Sequence, residues 1–183
     1  MNYSGKLLIA TPALLDPNFR ETVILLVQGS DEDGVLGLIL NRISDKPIRE
    51  LWETVFHQNC AVEGKLHLGG PVFGPVFAVH SNSSLYDAEI IPGVYFAASK
   101  ETMDELVNDM ENQFRLFVGN AGWGEGQLAR EILEGSWYLA EATQQIIFAD
   151  ETSIWQELIE QVGHSIISEV LHNKNLPDDP LLN

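Results

Sequence analysis

The stretch FRLFVGNAGWGEGQLAREILEGSW, residues 114–137, decides how the chain is read, because apolar, glycine-rich and helical patterns follow one another in it without a break. The apolar run 114–118 predicts a strand, the glycine-rich segment 119–126 a turn, and the pattern from Gln127 a short helix. Gly122, Gly124 and Gly126 alternate with Trp123 and Glu125, so the backbone is free to take positive φ or to approach another group closely. Gly135 is placed to end the helix in the left-handed conformation. Two readings of the turn stay open: a tight corner over which Trp123 and Trp137 pack, or a set of amide donors at a helix start that takes an anion or a carbonyl.

Residues 124–129 fit the phosphate-binding pattern G-x-G-x-x-A, and Asp150 follows a second apolar run, 146–149, at the spacing a dinucleotide fold uses. Against that reading, Glu125 puts a carboxylate where a pyrophosphate would lie, and the helix is about two turns long. The chain also ends after one such unit. No lysine follows the glycines, which excludes a Walker A loop.

The chain has 183 residues, 45% of them hydrophobic, which suits one ordinary domain with a substantial core. We expect that domain to cover residues 1–175, with a polar tail at 176–183. No apolar run approaches the roughly 18–20 residues of a membrane span, and the first residues lack the pattern of a secretory signal. The expected location is therefore cytoplasmic, and the single cysteine, Cys60, agrees with a reducing compartment. Ten Lys and Arg among 27 Asp and Glu give a net charge of −17. Nucleic-acid affinity rests on basic groups that release counterions, so this balance argues against direct binding to DNA or RNA and favours basic protein partners.

Along the chain, residues 5–10 read as a strand, 16–18 as a turn, and 22–28 with 35–41 as a hairpin around the acidic loop 29–34. That loop misses the calcium-binding offsets and reads as a solvated turn. Ile48, Leu51, Trp52, Val55 and Phe56 fall at helical spacing behind Pro47. Residues 66–68, 75–80 and 88–98 read as strands broken by Gly and Pro. Ser99 caps a helix with Met103, Leu106, Val107 and Met110 on its core face. Residues 138–142 and 146–149 are expected as strands, and a last helix starts at Ser153.

The inventory of reactive groups is thin. His57, His67, His80, His164 and His172 show no metal-ligand spacing, and His80 at a strand end reads as a base or, in preference, as a satisfied or solvent-facing histidine. No nucleophile elbow, zinc motif or lipidation signal occurs. No catalytic residue, metal set or cofactor is assigned.

Four ordered signatures together resemble the bacterial YqgE/AlgH family. They are Leu7-Leu8-Ile9-Ala10-Thr11-Pro12-Ala13-Leu14 with Asp16, Phe19 and Val23; G-x-x-G-L-I-L-N-R at 34–42; Leu68-Gly69-Gly70-Pro71-Val72; and Gly119-x-Ala121-x-Trp123-x-x-Gly126-Gln127-Leu128-x-x-Glu131-Ile132 with Trp137. The resemblance covers nearly the whole chain, although Asn120 stands where the family often has an aromatic. It implies an α+β fold, a single domain whose bent, mixed, partly barrel-like sheet is surrounded by helices. It also implies a label of transcriptional regulation, resting on a genetic association with alginate production. Carried over as a converging surface cleft are Asp16, Phe19, Asn41, Arg42, Gly69, Gly70, Pro71, Trp123, Gly126 and Gln127. In that cleft Arg42 would clamp a carboxylate or phosphate and Trp123 would form an apolar wall. The function expected is a regulatory or binding module acting through a protein partner or a small ligand. The alternative is an enzyme or nucleotide binder that uses the glycine-rich cleft.

Overall fold

A computed structural model describes residues 1–85 and 88–173, with side chains through His164. The tail 176–183 and the side chain of His172 lie outside the described residues. Ten strands form one curled sheet: β1 (Lys6–Ala10), β2 (Val23–Ser30), β3 (Gly34–Ile39), β4 (Ile43–Pro47), β5 (Lys65–Leu68), β6 (Val72–His80), β7 (Ala88–Ile91), β8 (Val94–Ala97), β9 (Phe114–Trp123) and β10 (Trp137–Glu141). Its main path runs β10-β1-β2-β3-β9-β6-β8-β7, antiparallel at each step, with β4 and β5 off the path. β5 lies parallel to β9, so the sheet is mixed and curls into a half-barrel. The helices are α1 (Ile48–Leu51), α2 (Lys100–Leu106), α3 (Gln127–Leu133), α4 (Gln144–Ile147) and α5 (Ile154–Asn173).

Residues 7–10 of β1 and 23–27 of β2 are uninterrupted apolar runs because both of their faces are covered. Leu7, Ile9, Val23 and Leu25 point into a core shared with α4 and α5, while Leu8, Ala10, Ile24 and Leu26 point into a second core with α3, Trp123 and Trp137. A third core packs α1 and α2 against β6 and β9 around the fully buried Trp52. The indole of Trp52 donates to Asp104 Oδ1 at 3.0 Å and so fastens the first helical segment to α2.

β9 pairs with β6 along one edge and with β5 and β3 on the other. Gly69 sits where β5 ends between β3 and β9: its N–H donates to Val118 O (3.0 Å) and its carbonyl accepts from Ile39 N (2.9 Å). A Cβ on Gly69 would stand 2.2 Å from Gly119 O, and one on Gly70 2.2 Å from the carbonyl carbon of Asn120. Close backbone approach is therefore what these two glycines are for.

Four expectations from the sequence need correction. The glycine-rich turn is shorter than 119–126, because β9 continues to Trp123 and leaves residues 124–126 to turn the chain. Residues 146–149 are not a strand: Thr143 caps Ile146 N and the chain makes the single helical turn α4, burying Ile147. The helix behind Pro47 tightens only as far as Leu51 and then widens into π geometry over Trp52–Phe56, leaving Val55 exposed. Met110 lies beyond α2 and is 76% exposed, so it fills no core.

Candidate functional site

The segment after β1 folds over the end of β3 through its own hydrogen bonds. Asp16 closes its turn twice, its carboxylate accepting from Asn18 N (2.7 Å) and its carbonyl from Phe19 N and Arg20 N. Asn41 holds the return: its side-chain oxygen accepts from Val23 N (2.9 Å) and its amide donates to Glu21 O (2.8 Å), fixing Glu21 at φ +55°. Arg42 Nη2 donates to Pro17 O at 3.1 Å and Arg20 O at 3.4 Å. Both acceptors are carbonyls. Among the described residues no carboxylate stands within ion-pair distance of Arg42 or Arg20.

The ten residues carried over do not make one surface. Arg42, Gly70 and Pro71 meet in a cleft of ≈ 220 Å³ walled by Ile39, Leu68, Phe73 and Val118. On its other side Arg42 lines a second, more polar cleft of ≈ 690 Å³ with Arg20, Asn41, Glu151, Thr152 and Gln156. Asp16 serves its own turn, and Gly69 is buried behind the first cleft. Phe19, Trp123, Gly126 and Gln127 belong to a corner under α3. There Phe19 stacks on Trp123 (6.1 Å) and meets Trp137 edge-on (5.6 Å), and Trp123 is 5% exposed.

Glu131, on α3, organises that corner. Its Oε2 accepts from the indoles of both Trp123 and Trp137 at 2.9 Å, and its Oε1 from Gln127 Nε2 at 2.8 Å. Two of the three amides at 124–126 already have acceptors: Gly124 N donates to Gln127 Oε1 and Gly126 N to Asp31 O. The turn is thus a packed corner, not an open cradle for phosphate. With residues 146–149 forming the end of α4 and the turn after it, the strand that would carry Asp150 in a dinucleotide fold is also missing. In the acidic loop, Asp31 accepts from Tyr3 Oη and Asp33 from Ser30 Oγ. No group of three or more candidate metal ligands gathers among the described residues.

Behind the polar cleft lies a charged cluster the sequence reading did not assemble. His67 Nε2 is 2.9 Å from Glu151 Oε1, and Arg115 Nη2 is 3.1 Å from the same oxygen. Arg115 also donates to Leu40 O and Ala149 O. Burial pushes the His67 imidazole below its ordinary pKa, outweighing the pull of Glu151. The ring is therefore neutral near pH 7 and donates its Nε2–H to the carboxylate. Burial would raise Glu151, but the His67 hydrogen bond, its own backbone and Arg115 outweigh that and hold the carboxyl below its usual value. A signal for this cluster was present: Arg115 is a lone charge inside the apolar run 114–118. His80, the sequence's candidate base, is fully buried at the end of β6 and stacks on Tyr95 at 5.6 Å.

Relatives of similar length match nearly the whole chain. A UPF0301 protein of Chlorobaculum tepidum is 36% identical over 186 residues, covering 98% of this chain and 95% of its own. A UPF0301 protein of Thermobifida fusca is 32% identical over 196 residues, covering 100% and 96%. The solution structure of the AlgH protein of Pseudomonas aeruginosa superposes with a TM-score of 0.72 at 23% identity, covering 98% of this chain and 97% of its own. A crystal structure of a Corynebacterium diphtheriae protein superposes at 0.68, covering 87% and 86%. These two structural likenesses carry the fold alone. The model of the AlgH-like family matches residues 7–167, and with these relatives it places the chain in the AlgH-like, UPF0301 family.

Proposed function

We propose that the chain is a non-enzymatic binding or regulatory module of the cytoplasm, acting through a partner or ligand held at the Arg42 clefts, with indirect effects on transcription at most. The observation that carries this reading is the exposed apolar rim of the smaller cleft, where Phe73 is 94% exposed and Leu68 45%, with Val72, 49% exposed, beside Phe73 in the chain. Large apolar side chains clustered beside a concavity, with a guanidinium at its edge, are the usual make-up of a recognition surface. The groups around the clefts are engaged in building the loop: Asp16 closes a turn and Asn41 ties two backbones, so neither is poised as a base. The acid-rich surface disfavours nucleic acid and favours a partner with basic groups around an apolar anchor. No described helix is long and apolar enough to cross a membrane.

A photo-crosslinking amino acid at position 73, compared with one at Met110 beside a different cleft, tests the reading in cells. The expected result is a discrete adduct from position 73, weakened by Val72→Asp and absent from position 110. Equal labelling from both positions, or none from position 73, sinks it.

A further inference from the structure

We infer that the two clefts flanking Arg42 form one binding site for a small amphiphilic anion, in which a carboxylate or phosphate is joined to an apolar body about the size of a side chain. The inference deepens the functional reading above, on whose choice of site it rests.

The cation side of the argument starts from numbers. Acids outnumber bases 27 to 10 in this chain, so a guanidinium at its surface has many carboxylates to choose from. Arg42 and Arg20 pair with none among the described residues, yet both line the same polar cleft. Arg42 is also held in position. Its carbonyl accepts from Leu68 N at 2.8 Å, and its Nη2 is fixed by the carbonyls of Pro17 and Arg20. Carbonyls orient a guanidinium without cancelling its charge. A fork so oriented, with Nε and Nη1 free of acceptors among the described residues, suits a planar or tetrahedral oxyanion.

Two acids share the polar cleft. Glu151 is matched by Arg115 at 3.1 Å and accepts from His67, which leaves Glu21 as the carboxylate opposing two cations. The balance favours an anion of low charge. Asn41, Thr152 and Gln156 add neutral polar groups to the same wall.

The apolar side lies directly across Arg42. Ile39, Leu68, Pro71, Phe73 and Val118 line the cleft of ≈ 220 Å³, room for a side-chain-sized apolar body. An anion alone would leave Phe73 and Leu68 exposed to water, and an apolar molecule alone would leave the guanidiniums unmatched. Joining the two satisfies both walls at once.

The test is a titration of the full-length protein followed by heteronuclear NMR. Hexanoate and hexyl phosphate carry both parts, acetate and inorganic phosphate the anion alone, and hexanol the apolar part alone. The expected result is that hexanoate or hexyl phosphate binds at least tenfold more tightly than any single-part probe, shifting residues on both sides of Arg42. The better of the two identifies the anion. Arg42→Gln should weaken that binding tenfold or more, with Arg42→Lys intermediate. Arg20→Gln, at an exposed side chain that makes no hydrogen bond among the described residues, and Phe73→Asp, at a position 94% exposed, supply variants that keep the fold, and each should weaken binding severalfold. Binding no tighter than that of hexanol, or unchanged in Arg42→Gln and Arg20→Gln, overturns the inference. If amphiphiles fail while the position-73 adduct persists, the ligand class falls and the partner-binding role stands. If both fail, the site itself is wrong.

Discussion

Glu131 accepts three hydrogen bonds from two tryptophans and a glutamine, and no cation is among its partners. Both indoles are nearly buried, so removing the carboxylate strands two N–H donors. Orphaned buried donors cost about 1–3 kcal/mol each. Glu131→Ala is therefore expected to lower unfolding free energy by about 2–4 kcal/mol, and Glu131→Gln, which keeps an acceptor, by about half as much. Urea unfolding followed by tryptophan fluorescence measures both; equal losses for the two variants would contradict the account. At this scale the sequence was legible in part. Trp123, Gln127 and Trp137 stood out by composition, while Glu131 appeared in the family signature with no role attached to it. What marks it is the three- and four-residue spacing that sets side chains on one helix face, here Gln127 and Glu131 of α3. The aim of Trp123 and Trp137 at that face comes from the turns on either side of α3, and no spacing rule encodes it.

Three elements meet at the His67, Arg115 and Glu151 cluster: β5, β9 and the segment that leads into α5. Trp155 strengthens the junction by donating to Ala10 O at 2.8 Å. The folded imidazole has a lowered pKa, so as pH falls through the ordinary value of 6.5 the unfolded chain takes up a proton that the folded chain refuses. Stability drops in that window. Glu151 is lowered too, so its contribution is present above its ordinary 4.5 and is lost as pH falls through the folded value. Urea midpoints between pH 7.5 and 4 should fall in two stages, and His67→Gln should flatten the upper one; a midpoint constant from pH 7 to 5.5 would refute this. The same junction shows why element boundaries were harder to read than the hairpin of β2 and β3. The apolar residues 146–149 suit a strand or a single buried helical turn equally, and the capping hydroxyl of Thr143 decides the matter.

For the whole molecule, a net charge of −17 on 183 residues sets a self-repulsion that salt relieves. The screening length falls to about 10 Å at 0.1 M ionic strength. The thermal midpoint should therefore rise by several degrees between 10 and 300 mM sodium chloride, as followed by calorimetry. A midpoint that falls with salt would show that local ion pairs outweigh the global field. The fold class was legible at this scale because continuous apolar strands, glycine corners and short capped helices agreed with one another. The two clefts were legible only in part, through Asn41, Arg42, Gly70 and Pro71. They form where Arg42, just beyond β3, meets the 16–21 loop, the 69–73 turn and the start of α5, segments that are distant in sequence.

β9 pairs with β3, β5 and β6, all of which precede it by dozens of residues, and β1 waits for β10. During synthesis, the first hundred residues emerge from the ribosome with the middle of their sheet vacant. The β2–β3 hairpin can form early, but the free edge of β3 stays uncovered until residue 123 is available and its apolar faces until α3, α4 and α5 follow. Such sheets fold slowly and expose pairing edges while they wait. Nascent chains stalled before β9 should recruit chaperones and resist compaction, and those stalled beyond α5 should not.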